Sequence, residues 1–421
     1  MGNVGNQNLG DEALMAAVIQ NVRRRYPHAE LRGFTRNPRD TEQRHRIPAF
    51  PIRRTNGRSP TAPQPGPAAQ PRARRWDTLR ARLKRVPLLP ILVRAVRRLG
   101  RSALALPQEL AFLARSYRTL RGTDLVLVAG SGQLNDYWGG PWAFPFTLLE
   151  WSLMARASGA KMAFLSLGAG PLRTPLGKIF IKQALRRADY RSYRDEDSRR
   201  CIAALGIPGE HLVVPDLVFS LDLDGAAPVD RVSGQRVVGI NPMPFFDAAY
   251  YPESDPGVFG NYLRVLASFA DGLIERGYLV RFFATQLRVD HGVIDRVRAL
   301  MAHGAAAVPI TSLEELIAAI DSLDIVVATR YHATLFGLLR HKPVLSIAYQ
   351  RKSVDLMTQV GQARYALDID RLTLEAVWQR FLALEVEGAR CVEAVDRTLP
   401  PVRAQLERQY DRAFTLLEAD S

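Results

Sequence analysis

The stretch Asp324-Ile-Val-Val-Ala-Thr-Arg-Tyr-His-Ala-Thr-Leu-Phe-Gly337 decides how the rest of the chain is read. Its short β-branched run, Ile325 to Ala328, has the pattern of a buried parallel strand. Ala333 to Leu339 has that of the following helix, so Arg330 and His332 are expected in the turn between them. In α/β folds this is where ligands bind. Helix N-terminal N–H groups point at an anion there, and an arginine adds a two-pronged donor for phosphate or carboxylate. A histidine beside it can deliver a proton near neutral pH. The plainer alternative is that Arg330 pairs with a neighbouring carboxylate and His332 caps the helix.

Working outward, strands and helices alternate on both sides. Asp124 to Ala129, Lys161 to Ser166 and Tyr190 to Tyr193 read as strands, with helices at Ala143 to Ser158 and Pro175 to Ala188. A second set follows Asp222 to Ser233: strands at Arg236 to Asn241, Leu279 to Ala284 and Val344 to Ile347, and helices at Asn261 to Arg276, Gly292 to His303 and Lys352 to Gln359. Separate helices are expected at Leu374 to Leu384 and Val402 to Leu417, and a strand at Ala29 to Thr35. The fold class is therefore α/β, with two Rossmann-like domains facing a cleft. The expected division is 1–221, a linker at 222–233, 234–390, and a helical segment at 391–421.

A chain of 421 residues with 47% hydrophobic and 24% charged content has the composition of a globular two-domain protein. Cys201 and Cys391 are too few for a disulfide framework or a metal site, so a reducing cytoplasm is expected and no metal. The net charge of +15 sits in one place: from Arg53 to Arg101 there are fourteen Arg or Lys against one acid, Asp77. Ser59 to Pro71 is rich in Pro, Ala, Gly and Gln and reads as a linker. Over residues 76–121 leucines and valines interleave with arginines, the composition of a helix lying on an anionic membrane surface. A solvated helical hairpin is the alternative. Few aromatics accompany the basic residues, so nucleic acid is not expected.

Three glycine-bearing loops sit at the expected ligand edge. Gly5-Asn-Gln-Asn-Leu-Gly-Asp-Glu-Ala13 opens the chain, Gly130-Ser-Gly-Gln-Leu-Asn-Asp136 follows one strand, and Ser166-Leu-Gly-Ala-Gly-Pro171 follows the next. That edge collects Asp136, Gly168 and Arg194. Taken with Arg194-Asp-Glu-Asp-Ser198, Asp216, Arg330-Tyr-His332 and Tyr349-Gln-Arg-Lys352, the set resembles the polysaccharide pyruvyl transferase family, in order and over most of the chain.

The resemblance implies a GT-B-like pair of domains and transfer of the enolpyruvyl group of phosphoenolpyruvate onto two hydroxyls of a sugar, forming a pyruvate ketal. Phosphoenolpyruvate is then the donor substrate, with no cofactor, and the acceptor is a sugar or glycan, soluble or lipid-linked. Arg194, Arg330 and Lys352 are the expected donor-binding cations, His332 the acid that protonates the enol carbon, and Asp136 the base. Asn8, Asp11 and Gly168 form the expected substrate loop. Two features depart from the family pattern. The chain starts at the loop, so either the start codon is misassigned or the first sheet lacks a strand, and Ser131 stands where a glycine is usual. Competing readings are a GT-B glycosyltransferase using a nucleotide sugar and a non-catalytic sugar- or membrane-binding assembly factor.

Overall fold

The computed structural model describes residues 1–54, 107–223, 234–251 and 253–418. The N-terminal half contains a short pair, β1 (Gly33–Thr35) and β2 (Ala49–Pro51), beside the first main sheet, β3 (Leu125–Ala129), β4 (Lys161–Leu167), β5 (Tyr190–Tyr193) and β6 (Leu212–Val213), all parallel. Met1 and Gly2 lie between the two. The Met1 nitrogen donates to the Leu127 carbonyl at 2.8 Å, Ala129 N–H donates to the Met1 carbonyl at 2.9 Å, and Gly2 N–H donates to the Phe34 carbonyl at 3.3 Å. The backbone order is thus β2, β1, residues 1–2, β3, β4, β5, β6. Trp151, on the helix Phe144–Ser158, closes this half by stacking 4.3 Å from Phe34 and donating to the Ile52 carbonyl at 2.9 Å.

The C-terminal half is a six-stranded parallel sheet: β7 (Val237–Asn241), β8 (Leu279–Phe282), β9 (Ala306–Ala307), β10 (Ile325–Ala328), β11 (Val344–Ala348) and β12 (Ala366–Asp368). Its order, β12-β11-β10-β7-β8-β9, reverses direction between β10 and β7. In a doubly wound sheet that reversal opens a crevice at the carboxyl ends of the two central strands. β7 and β10 are buried at every residue, which explains why they read as continuous apolar runs. The helix Tyr331–Leu339 lies close on this sheet: a Cβ at Gly337 would come within 2.9 Å of Val344.

The two halves interlock at both ends of the chain. The helix Leu9–Arg25 belongs to the same apolar cluster as the second sheet. Next to it, Leu9 N–H donates to the Thr285 carbonyl at 2.9 Å and Leu287 N–H to the Gln7 carbonyl at 3.0 Å. At the other end Leu374–Phe414 is one continuous helix of 41 residues, not the two expected from the sequence. Pro400 and Pro401 lie inside it, yet the stripe Val395, Leu399, Val402, Leu406 and Tyr410 stays buried through them. Packing thus outweighs the local loss of hydrogen bonds. The helix packs Phe381 on Phe269, then crosses back so that Gln409 meets Ser166 and Ser192 between β4 and β5. Smaller differences are that β1 spans only Gly33–Thr35, and that helices start earlier than read, at Pro256, Leu287 and Tyr331. The linker beyond residue 223 and the basic stretch up to residue 106 lie outside the described residues.

Candidate active site

Arg330 stands at the reversal point of the second sheet. It is the residue that caps the helix Tyr331–Leu339, so His332 belongs to the first helical turn and not to a turn before it. Asn241, the last residue of β7, fixes this corner: its Oδ1 accepts Arg330 N–H at 3.2 Å while its Nδ2 donates to the Phe283 carbonyl at 2.8 Å. The guanidinium is paired with Asp290, donating from Nε at 3.1 Å and from one terminal nitrogen at 2.5 Å. Asp290 is fully buried and also accepts N–H groups of Thr285 and Gln286 at 3.1 and 2.8 Å. Burial works to lower the arginine's proton affinity, but the Asp290 charge overrides it and keeps the group cationic. The carboxylate-pairing alternative is therefore realised for two of the three nitrogens.

Around Arg330 the structure gathers the other expected cations. Arg194, at the end of β5, places its guanidinium 5.0 Å from the Tyr331 ring, and Lys352 Nζ lies 5.7 Å from that ring and 5.1 Å from Tyr349. Ring faces help to hold both cations, and Arg194 is also paired with Asp195 and Asp216 at 3.4 and 3.5 Å. The Tyr349 hydroxyl is buried, which opposes ionisation, yet Lys352, Arg330 and Arg194 together draw its pKa below the usual phenol range. One arginine comes from the first sheet and two cations from the second half, as read from the sequence.

His332 stands beside two carboxylates. Its Nε2 is 3.8 Å from Asp216 Oδ2, too long for a hydrogen bond, and it is buried with no hydrogen-bond partner among the described residues. Asp216 has no exposed side-chain surface, and it also faces Arg194 at 3.5 Å. Burial would raise its pKa, but His332 and Arg194 hold it below the usual carboxylate range. Asp11 behaves oppositely: burial raises its pKa although His332 pulls it down. Gly10 makes room for the imidazole, since a Cβ there would meet Nδ1 at 2.0 Å.

The N-terminal loop is ordered by its own side chains. Asn8 caps the first helix by accepting Gly10 N–H at 3.2 Å, and Asn3 and Asn8 donate to Asp11 Oδ2 at 3.2 and 3.1 Å. Gly168 passes close to Arg194, where a Cβ would meet a guanidinium nitrogen at 2.8 Å. Ser131, the departure from glycine, adopts φ 65°, a conformation that ordinarily favours glycine, and its hydroxyl faces Asp11.

Asp136 is placed differently from the reading as a base. Its Oδ1 accepts Arg173 N–H at 2.8 Å, and its Oδ2 accepts Thr174 N–H at 2.7 Å and the Thr174 hydroxyl at 2.5 Å. Despite burial, these donors hold its pKa below the ordinary range. A carboxylate so occupied anchors the entry to the helix Pro175–Leu185 and is poorly suited to take a proton.

A profile of the polysaccharide pyruvyl transferase family matches residues 8–351. The chain belongs to that family. As a polysaccharide pyruvyl transferase it is a transferase with a sugar or polysaccharide acceptor, and the matched span includes every residue named above except Lys352 and the ends of the chain. No curated protein matches it. Among solved structures it is similar to a protein described as a UDP-N-acetylglucosamine 2-epimerase from Listeria monocytogenes. Identity is 11%, TM-score 0.55, and coverage 97% of this chain and 96% of that one. It is also similar to a UDP-forming α,α-trehalose-phosphate synthase from Burkholderia vietnamiensis, with 12% identity, TM-score 0.48, and coverage of 75% and 77%. The first of these likenesses supports the GT-B-like fold of two Rossmann-like halves; at this identity it carries nothing about substrate.

Four participants escaped the sequence reading. Asp290 sits in a segment read as preceding a helix, and Tyr331 and Tyr349 lie inside the quoted motifs but had no role assigned. Gly10 was one of several loop glycines. Only the motif spacing around Tyr331 and Tyr349 hinted at them.

Proposed function

We propose that this pyruvyl transferase uses phosphoenolpyruvate as donor, bound between Arg330, Arg194 and Lys352, and that His332 protonates its methylene carbon. The observation that carries the reading is the convergence of three cations from both halves on the Tyr349 hydroxyl, with His332 Nε2 left without a hydrogen-bond partner among the described residues. A small molecule bearing both phosphate and carboxylate needs such a cluster. Arg330 and Lys352 suit the phosphate, and Arg194 suits the carboxylate.

Protonation of the methylene carbon by His332 places positive charge on the adjacent carbon, which a sugar hydroxyl attacks. Asp216, ionised and buried, stabilises the protonated imidazole before transfer. Asp11 replaces Asp136 as the carboxylate suited to relieve the attacking hydroxyl of its proton, because burial raises its pKa whereas the donors around Asp136 lower that group's. Loss of phosphate and attack by a second hydroxyl complete the ketal. The product belongs to exopolysaccharide or cell-envelope synthesis, and the basic residues within 76–121 would hold the enzyme on the inner face of the membrane, near a lipid-linked acceptor.

Titrating the protein with phosphoenolpyruvate and, separately, with UDP-sugars tests this reading. Saturable binding of phosphoenolpyruvate alone is expected. Binding of the nucleotide sugar alone would make the protein a glycosyltransferase in chemistry as well as fold.

A further inference from the structure

Away from the cleft, the helices Phe144–Ser158 and Pro175–Leu185 present an apolar face that the transfer chemistry does not use. Trp142 is 63% exposed, and its ring packs 5.0 Å from Phe146 and 5.4 Å from Phe180, with those two also 5.4 Å apart. Leu176 and Ile179, 45% and 51% exposed, extend the patch along the helix of Phe180. Adjacent positions three or four apart share one helical face, so these five side chains are contiguous. A patch of this kind on a protein surface marks an interaction site.

The charges around it select the partner. From residue 151 to residue 188 the sequence has seven Arg or Lys and no Asp or Glu. Lys178 is exposed between Leu176 and Ile179, and Arg186 is exposed at the helix end. The described residues on either side of the basic stretch lie against the helix Phe144–Ser158. Arg53 donates to Thr147 and lies 5.1 Å over Phe144, and Arg54 pairs with Glu109 at 2.8 Å at the start of the helical residues 107–120. An exposed tryptophan with aliphatic neighbours, next to a helix Pro175–Leu185 that carries Lys178 and Lys182 and no acid and is followed by exposed Arg186, suits the boundary between anionic headgroups and acyl chains. A protein partner of ordinary composition would not require a helix face so one-sided in charge.

We infer that the Trp142–Phe146–Leu176–Ile179–Phe180 face docks on an anionic lipid bilayer. Trp142 and Ile179 enter the interface and Lys178 meets the headgroups. This goes beyond the proposed transfer reaction and does not depend on it. The loop Gly139-Gly140 joins Trp142 to Trp138, whose ring touches Tyr250 and Tyr251 at 5.8 and 5.5 Å at the mouth between the halves. Docking by this face therefore brings the cleft mouth toward the surface.

Sedimentation of the full chain with phosphatidylglycerol/phosphatidylethanolamine vesicles, and with phosphatidylcholine vesicles, tests the inference. Binding to the anionic vesicles is expected, reduced at least ten-fold in a Trp142→Ser/Ile179→Ser variant whose circular dichroism and melting temperature match the parent. A Lys178→Glu variant should lose several-fold on anionic vesicles and nothing on neutral ones. Absence of vesicle binding by the intact protein overturns the proposal. So does full binding by the folded double variant, which would assign the attachment to the basic stretch alone. A parent that is dimeric by light scattering and becomes monomeric in the double variant, with vesicle binding unchanged, would make the face a contact between two copies instead.

Discussion

Asp136 and Arg330 both follow the carboxyl end of a parallel strand, Asp136 in the loop after β3 and Arg330 directly after β10, and both are mostly buried and lie within the span that the family profile matches. Their hydrogen bonds divide them. Asp136 is saturated by Arg173 and Thr174, whereas Arg330 is paired with Asp290 through two of its nitrogens and, together with Lys352 and Arg194, acts on the Tyr349 hydroxyl. His332 Nε2 is one of eight buried side-chain polar atoms without a hydrogen-bond partner among the described residues, so a vacancy alone does not mark a ligand position; the cluster of three cations does. Family motifs contain both scaffold and site, and hydrogen-bonding capacity read together with clustered charge tells them apart.

The largest test of this contrast is at Arg330. Arg330→Ala should abolish phosphoenolpyruvate binding and also destabilise the fold by about 3–5 kcal/mol, because it strands the buried Asp290 charge. A chemical denaturation curve beside the titration separates the two effects. His332→Ala should cut turnover by about 10²–10⁴ while leaving donor affinity within a few-fold, as expected of a general acid. Loss of affinity equal to the loss of turnover would move His332 from proton donor to binding group.

Gly10→Ala should imitate that histidine variant. A methyl at 2.0 Å from Nδ1 must push the ring away from Asp216, whereas Gly132→Ala, with nothing within 4 Å, should leave turnover unchanged. Asp136→Asn should affect stability more than chemistry: removing charge from three donors costs about 1–3 kcal/mol, read as a lower denaturation midpoint, with turnover within a few-fold of the parent. The smallest expected effect is at Glu150. Burial, with Glu109 adding to it against the pull of Arg53, raises its pKa to about 7. The native state then holds a proton that the unfolded state releases above about 4.5. Stability contributed by this group is present below that pH and is lost as pH rises to about 7. Glu150→Gln should flatten the stability profile across that window, measured by melting temperature at fixed salt.

The sheets were legible in the sequence because each central strand is buried on both faces and writes itself as an unbroken β-branched run, as in Ile325–Ala328. The long terminal helix was not. Pro400-Pro401 is a local signal to stop, and only the burial of Leu399 and Val402 against other elements shows that the helix continues. For the site, position at strand ends pointed to Arg194, Arg330 and His332, and the family resemblance added Lys352. What they could not supply was occupancy. Nothing around Asp136 in the sequence announces that Thr174, 38 positions away, takes its lone pairs, and nothing around Arg330 announces Asp290, 40 positions away. Contacts of that range belong to the folded chain.

The most direct measurement is a calorimetric titration of phosphoenolpyruvate into three proteins: the parent, Asp136→Asn and Arg330→Ala, each verified as folded. Saturable binding by the first two, with affinities within a few-fold, and none by the third is the predicted result. Undiminished binding by Arg330→Ala, or binding lost on Asp136→Asn and retained on Arg330→Ala, would contradict the assignment of the donor to the reversal point of the second sheet.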